Sequence, residues 1–189
     1  SGKMGFALAE ACAERGAEVT LVAGPVSLKT HHPAIKRIDV ESAGEMYQAA
    51  MTAFPSSDAA ILCAAVADYR PENASEQKIK RETEREMTLH LVPNPDIAAS
   101  LGAIKREVQV MVGFALETND EATHAEGKLK RKNLDFIVLN SLRDQGAGFR
   151  CDTNKITIID NAGGVTSYPL KTKREVACDI VNKLVTLLK

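Results

Sequence analysis

The sequence predicts an α/β fold: a Rossmann-like, mostly parallel sheet with helices on both faces and an antiparallel hairpin near the C-terminus. Amphipathic segments with helical spacing alternate along the chain with short apolar runs, as in a parallel α/β sheet. The strongest apolar run, residues 59–65, has no polar alternation and is predicted to be a central strand covered on both faces. The chain has 189 residues and no evident linker or repeat, which predicts a single domain.

The N-terminal third is predicted to contain two helices with two strands between them. Phe6, Leu8, Ala9 and Cys12 share the inner face of a first helix, and Gly16 suits the left-handed position that ends a helix. Residues 18–22 and 35–40 have the composition of strands. Residues 42–45 have the spacing of a capping box and predict a helix to about residue 54.

No strand pattern precedes the first helix. A helix followed by a parallel strand normally has a strand before it, so we expect the first strand of the fold to be missing. The predicted domain, residues 1–189, is accordingly expected to be truncated at its N-terminus.

The middle of the chain combines a long polar segment with a strand and a helix start. Residues 71–85 are charged and poorly periodic, which is typical of a functional or disordered loop, and residues 87–92 alternate as a strand does. Asn94 is predicted to cap the next helix, with Pro95 at its first position.

The C-terminal half continues the alternation of strands and helices. Strands are predicted at residues 108–114 and 134–140, and capping boxes at residues 118–121 and 172–175 predict the two helices. Residues 141–154 form a loop. The turn at residues 161–164 joins the two strands of a hairpin, residues 155–160 and 165–169.

Composition excludes several classes of function. The net charge of −1 gives no broad attraction to nucleic acid or to a membrane, and no apolar run is long enough to cross a bilayer. No secretory signal is visible. The four cysteines have no zinc-site spacing and are predicted to be reduced thiols in a cytoplasmic protein.

The end of the central strand is the first candidate for ligand binding, because open α/β sheets bind ligands beyond the carboxyl ends of their strands. Backbone groups of Leu62, Cys63 and Ala64 could contact a base edge, and Asp68 could accept hydrogen bonds from ribose hydroxyls. Equally, the small residues could only pack a helix and Asp68 could cap a turn.

Two further segments could contact phosphates. Lys78, Lys80 and Arg81 could close over a triphosphate, although interleaved glutamates also fit a solvated loop. The helix start at residues 94–97 could present free amides to an anion, although capping alone explains that pattern.

Weaker candidates lie elsewhere. Lys128 and Lys132 share a helix face and could point at a nucleotide or simply form a solvated surface. Phe114, at a predicted strand end, could pack on a base or belong to the core. Ser1 and Gly2 precede a helix N-terminus, a place where phosphates bind, but match no complete phosphate-loop motif.

Six short stretches together resemble the bacterial, CTP-dependent phosphopantothenoylcysteine synthetase domain, which occurs in a bifunctional decarboxylase/synthetase of coenzyme A biosynthesis. The resemblance covers essentially the whole chain, and the combination is specific although its parts are not. The stretches are residues 1–10, 64–70, 78–80, 94–97, 113–118 and 130–135.

The resemblance implies a two-step ligase reaction. The carboxylate of 4′-phosphopantothenate attacks the α-phosphorus of CTP, and L-cysteine then displaces CMP to give 4′-phosphopantothenoylcysteine. Mg²⁺ would accompany the triphosphate, and FMN would be needed only if a decarboxylase domain is fused upstream. The metal ligands stay unknown. A homodimer with the site near its interface is also implied, with no nucleic-acid or membrane partner.

The family pattern also implies the residues of the site. Lys78 would act on the phosphates as the catalytic residue. The implied nucleotide contacts are Ser1, Gly2, Leu62, Cys63, Ala64, Asp68, Lys78, Pro95, Asp96, Ile97, Ala98, Phe114, Lys128 and Lys132. The family's glycine-rich first strand and the asparagine before the serine-glycine turn have no counterpart here, which leaves the activity of this chain open.

Two alternatives come from other functional classes. An NAD(P)-dependent Rossmann oxidoreductase should have a Gly-x-Gly-x-x-Gly turn and an acidic residue after the second strand, but residues 22–25 contain no acid. A non-catalytic nucleotide-binding subunit would bind CTP without turnover.

Overall fold

A computed structural model describes residues 1–73, 75, 77, 87–117, 121–141 and 151–188, with the side chains of 116–117, 121–124 and 141 left aside. The helices are α1 (Lys3–Ala13), α2 (Ala43–Ala53), α3 (Ile97–Ile104), α4 (Glu121–Arg131) and α5 (Lys173–Leu187). The strands are β1 (Val19–Ala23), β2 (Ile35–Asp39), β3 (Ala59–Leu62), β4 (Tyr69–Pro71), β5 (Leu91–Pro93), β6 (Val110–Glu117), β7 (Phe136–Ser141), β8 (Thr153–Asn154), β9 (Ile156–Asp160), β10 (Val165–Ser167) and β11 (Lys171–Thr172).

The main sheet has five strands in the order β10-β9-β7-β6-β3. β3, β6 and β7 are parallel, whereas β9 and β10 add an antiparallel edge, as the hairpin signal predicts. β1 and β2 form a separate parallel pair. The predicted α/β class with a mostly parallel sheet is therefore confirmed.

The two faces of the main sheet carry separate parts of the core. Val110 and Val112 of β6 face the cluster formed with α1 and α5, whereas Met111 faces the cluster formed with α3 and α4. This alternation follows from the two-residue period of a strand. Helices therefore cover both faces, as predicted.

The prediction that residues 59–65 form a fully covered central strand is wrong. β3 ends at Leu62, pairs only with β6 among the described strands, and is half-buried throughout. The apolar run continues past the strand because its last residues enter a loop. Phe114, predicted at a strand end, instead lies inside β6, which extends to Glu117.

The predicted capping boxes illustrate how local the helix signals are. The side chains of Ser42 and Thr172 each accept a hydrogen bond from the backbone amide three residues later. The glutamate at that later position accepts in return from the backbone amide of the cap residue. Both boxes are confirmed. The third, at Thr118, lies outside the described residues. Gly16 adopts the predicted left-handed conformation, with φ of 85°.

Two short strand pairs were not expected from the sequence. β4 pairs antiparallel with β5, whereas a single strand over residues 87–92 was predicted, and β8 pairs with β11. These strands have only two or three residues, and β4 is exposed throughout, so no hydrophobic alternation marks it. β4 and β5 form an exposed two-stranded ribbon beyond the end of β3.

One glycine allows α3 to approach the segment after α4. A Cβ on Gly102 would lie 2.2 Å from the carbonyl oxygen of Lys132, and Asn133 donates a hydrogen bond to the Gly102 carbonyl at 3.0 Å. Because the obstructing atom belongs to the backbone, no side-chain rotation can relieve the clash. This contact sets the position of Lys132 relative to α3.

Gly102→Ala should therefore destabilise the protein by about 1–3 kcal/mol, the usual cost of overpacking. Gly127→Ala is the matched control, since nothing lies within 4 Å of its added Cβ and alanine favours a helix, so this change should stabilise by about 0.5–1 kcal/mol. Urea unfolding measures both. Equal effects of the two substitutions would contradict the close approach.

Candidate functional site

The candidate site lies at the carboxyl edge of the parallel strands, where residues 63–68 leave β3. Ala64, Ala65 and Asp68 are exposed, so backbone groups of this strand-end loop are accessible to a ligand. A Cβ on Gly5 would lie 3.2 Å from the Cys63 Sγ, which shows that the first turn of α1 packs directly against the end of β3.

The N-terminus of α1 is open to an anion. Gly2 occupies the cap position in a left-handed conformation (φ 74°), no side chain caps the helix, and its first turn contains no acidic residue. The first amides of such a helix have no intrahelical acceptor and carry the positive end of the helix dipole. Lys3 pairs with Asp152 at 2.6 Å. The start of α1 therefore offers backbone amides as its uncapped donors.

The start of α3 differs from the prediction in two respects. Asp96, not Asn94, is the cap, and its carboxylate accepts a hydrogen bond from the Ala99 amide at 3.0 Å. The amides predicted to be free for an anion are therefore already partly satisfied by a carboxylate. Asn94 lies two residues before the cap and has a different set of contacts.

Lys132 reaches the capping carboxylate of α3. Its Nζ lies 3.2 Å from Asp96 Oδ2, although α4 ends one residue earlier at Arg131. The ion pair brings a cation to the same helix start as Pro95, Ile97 and the half-buried Ala98. Lys128 lies one turn earlier in α4, and its backbone carbonyl accepts from the Lys132 amide.

Arg70 and Asn94 connect the strand-end loop to the segment before α3. Asn94 donates from its backbone to Asp68 O and from Nδ2 to Ala67 O, each at 2.8 Å. Arg70 Nη1 donates to Asn94 Oδ1 at 3.1 Å and to Pro93 O at 2.8 Å. Sequence analysis did not identify Arg70, because a single arginine after a strand carries no signal of its partners.

Cys63 and Phe114 lie on the side of the candidate site that faces the hydrophobic core. Both are half-buried and pack against the cluster beneath α1 and α5, and Leu62 packs against the opposite cluster. Burial raises the pKa of the Cys63 thiol to about 11, so this thiol stays protonated at neutral pH. Cys63 therefore contributes shape and backbone groups rather than a nucleophile.

The structure thus brings most of the predicted site residues to one edge. Ser1 and Gly2 lie at the start of α1, Leu62 to Asp68 follow β3, and Pro95 to Ala98 begin α3 with Lys132 beside them. Lys78, together with Lys80 and Arg81, lies outside the described residues.

Within the described ranges, no cluster of three or more His, Cys, Asp or Glu side chains could hold a metal ion. None of the described helices has the length and apolar character needed to span a membrane.

Comparison with known families identifies the family to which the chain belongs. Residues 1–188 match the family described as the DNA/pantothenate metabolism flavoprotein C-terminal domain. The chain belongs to this family. The resemblance predicted from six short stretches is confirmed at this level, and the match extends over almost all of the chain.

Curated relatives in the family are longer proteins. The chain is 57% identical over 188 residues to a protein from an unknown prokaryotic organism named cysteine/cysteine sulfinic acid decarboxylase, covering 100% of this chain and 52% of that protein. It is 47% identical over 189 residues to the coenzyme A biosynthesis bifunctional protein CoaBC of Vibrio parahaemolyticus, covering 100% and 47%. The chain spans about half the length of the curated relatives it matches.

Solved structures have the same fold. The C-terminal domain of a coenzyme A biosynthesis bifunctional protein CoaBC superposes with a TM-score of 0.82 at 36% identity, covering 99% of this chain and 83% of that one. A Cab2 H337A variant in complex with phosphopantothenate-cysteine superposes with a TM-score of 0.71 at 14% identity, covering 98% and 78%. The second likeness is one of fold alone.

Asp96 makes the start of α3 sensitive to pH. Burial alone would raise the pKa of Asp96. The Ala99 amide and Lys132 stabilise the carboxylate, however, so the pKa of Asp96 lies below its ordinary value. A lowered folded-state pKa means that this stabilisation is present above about pH 4 and is lost as the pH falls through the folded value.

Asp96→Asn should lower the free energy of unfolding by at most about 1 kcal/mol at pH 7, because asparagine still caps a helix and the ion pair is half-exposed. The difference between the two proteins should stay constant from pH 6 to about pH 4 and shrink as the pH falls below about 4. Urea unfolding across this range measures it, and a difference that grows on acidification would show that the carboxylate is not stabilised in the fold.

Proposed function

We propose that this chain is a phosphopantothenate–cysteine ligase domain that uses CTP to make 4′-phosphopantothenoylcysteine for coenzyme A biosynthesis. The observation that carries the proposal is the juxtaposition, at one sheet edge, of the strand-end loop with the starts of α1 and α3. The 47%-identical relative named for coenzyme A biosynthesis supports it, as does the fold-level likeness to a protein solved with phosphopantothenate-cysteine.

In this proposal the strand-end loop binds the nucleoside. Backbone groups of Cys63 and Ala64 contact the base edge, and the Asp68 carboxylate accepts hydrogen bonds from the ribose hydroxyls. No described residue pairs with the Asp68 side chain, which leaves its two oxygens accessible. Phe114 lines the core-facing side of the same nucleoside site.

The phosphates lie between the two helix starts. The uncapped amides at the start of α1, directly after Ser1 and Gly2, supply hydrogen bonds to an anion. Lys132, whose ammonium group pairs with Asp96, is the proposed phosphate contact beside Pro95, with Lys128 one turn away. Lys78 is proposed to reach the phosphates from the polar segment before β5, where it would stabilise charge that develops on the leaving pyrophosphate.

The chemistry proceeds in two displacements. A carboxylate oxygen of 4′-phosphopantothenate bonds to the α-phosphorus of CTP, and the bond to the pyrophosphate oxygen breaks. The cysteine amine then bonds to the acyl carbon, CMP leaves with the electrons of the acyl–oxygen bond, and the ammonium proton passes to solvent. Because a free amine is an adequate nucleophile, the protein mainly positions reactants and stabilises charge.

The donor set fits a metal that is carried by the triphosphate. Mg²⁺ is usually held by phosphate oxygens, water and one or two carboxylates rather than by a cage of protein ligands. The described residues contain no cluster of three or more His, Cys, Asp or Glu side chains that could enclose a metal ion, which suits an ion held mainly by the triphosphate. When bound, Mg²⁺ would supply charge neutralisation on the phosphates.

The half-length match limits which activities belong to this chain. A fused decarboxylase, with its FMN, would belong to another part of a longer protein. The proposed substrates are CTP, 4′-phosphopantothenate and L-cysteine, with the cytoplasm as the compartment in which they meet. The oxidoreductase alternative gains no support, since β1 ends at Ala23 and is followed by Gly24 without an acidic residue.

A homodimer is proposed through the exposed ribbon of β4 and β5. Tyr69 and Leu91 on the ribbon and Met87 and Leu89 before it are 61%, 56%, 62% and 57% exposed, an unusual concentration of large apolar side chains on one projection. A second copy of the chain would bury them. Sedimentation velocity tests this, and a monomer at tens of micromolar would contradict it.

Pyrophosphate release with Mg²⁺ and 4′-phosphopantothenate tests the function, comparing CTP with ATP, with and without cysteine. CTP-selective release that accelerates and yields CMP on addition of cysteine is the expected result. CTP binding without release would favour a non-catalytic subunit. Carbon dioxide release from cysteine without nucleotide would favour the activity named in the 57%-identical relative.

Lys78→Ala should reduce turnover by about a hundredfold or more while the affinity for CTP changes much less, because charge on the leaving group develops only in the transition state. Steady-state kinetics and CTP titration separate the two effects. Lys36→Ala, on the exposed face of β2, is the matched control and should change neither. Equal losses in affinity and turnover for Lys78→Ala would refute this role.

A further inference from the structure

We propose that Arg70 and Asn94 are positioning residues that hold the nucleoside-binding loop in register with the start of α3, so that both parts of one nucleotide are bound together. This inference rests on the proposed function and concerns two residues outside the predicted contact set. The pair is referred to below as the Arg70–Asn94 clamp.

The strand-end loop depends on this clamp for its backbone contacts. Asn94 donates to two carbonyls of this loop, those of Ala67 and Asp68. The loop is largely exposed and contains three alanines, so side-chain packing holds it weakly. Removing these bonds would leave Asp68 attached mainly through β4.

An asparagine is required at this position by the pattern of donors and acceptors. Asn94 Nδ2 donates to Ala67 O, while Oδ1 of the same amide accepts from Arg70 Nη1. A carboxylate could accept from the arginine but has no donor for Ala67, and an apolar residue offers neither. Arg70 then donates to Pro93 O with the same nitrogen, which holds the asparagine side chain in place.

On the side of α3, the clamp lies close in sequence to the residue that caps the helix. Asp96, which caps α3 and pairs with Lys132, is only two residues after Asn94. Fixing Asn94 to Ala67 and Asp68 therefore fixes the distance between the ribose end and the phosphate end of the site. When the spacing of two subsites is fixed in advance, the affinity for a ligand that fills both subsites rises more than the affinity for a fragment that fills only one.

Asn94→Asp is the direct test, because it keeps the size and the acceptor for Arg70 but replaces the donor with an oxygen facing Ala67 O. The affinity for CTP should fall about tenfold, from the lost hydrogen bond to Ala67 O and the new repulsion. CMP and inorganic triphosphate should each bind within about twofold of the unchanged protein. Isothermal titration with all three ligands gives the comparison.

Asn182→Asp is the matched control. Asn182 also accepts from an arginine, Arg15 Nη2 at 2.7 Å, but that pair lies at the far end of α1 from Gly2. All three affinities should stay unchanged in this variant. Arg70→Met, which has no donor for either oxygen, should lower CTP affinity by about threefold in the same selective manner and serves if Asn94→Asp fails to fold.

The outcomes separate this proposal from the proposed function. Suppose that the unchanged protein binds CTP. Equal losses of affinity for CTP, CMP and triphosphate in Asn94→Asp would then show that the clamp is only a structural contact and would overturn the inference. No change in any of the three affinities would overturn it too. An unchanged protein that does not bind CTP would instead refute the proposed function on which it rests.

Discussion

The pairing of β6 with β3 on one side and β7 on the other determines where the rest of the structure lies. The register sets Leu62 beside Gly113, so β3 stops there while β6 continues four residues further. The chain after Leu62 must leave the sheet at that level, next to the first turn of α1. The alternating side chains of β6 anchor α1 and α5 on one face and α3 and α4 on the other. A buried strand thus fixes both the loop and the helix starts around it.

The two helix starts at this edge have different electrostatic states. α1 has no side-chain cap, so its first amides remain available to an anion. α3 is capped by its own Asp96, whose charge is balanced by Lys132. The first helix start therefore supplies backbone donors, and the second supplies a fixed ion pair and a support for the loop after β3. Asp68 adds an exposed carboxylate near the second helix start, since Asn94 donates to its backbone carbonyl.

Local signals predicted the fold better than they predicted contacts. The capping boxes at Ser42 and Thr172 were recognisable because their partners lie three residues apart. Asn94 was assigned as a cap because asparagine before proline is a good cap, yet the next acceptor, Asp96, takes that position. The half-buried state of β3 and the contacts of Arg70 depend on segments distant in sequence, which a residue pattern does not report. The family resemblance supplied the candidate residues that spacing alone left ambiguous.

Amide hydrogen exchange with and without CTP and Mg²⁺ tests the location of the site most directly. Amide exchange should slow at residues 62–68, at residues 94–98 and in the first turn of α1 when the nucleotide binds. The turn at residues 161–164 is an internal reference, because Asn161 donates to the carbonyl of Asp135 just before β7, at the opposite edge of the sheet. Protection at that turn, with none at the loop after β3, would contradict a nucleotide site at the carboxyl edge.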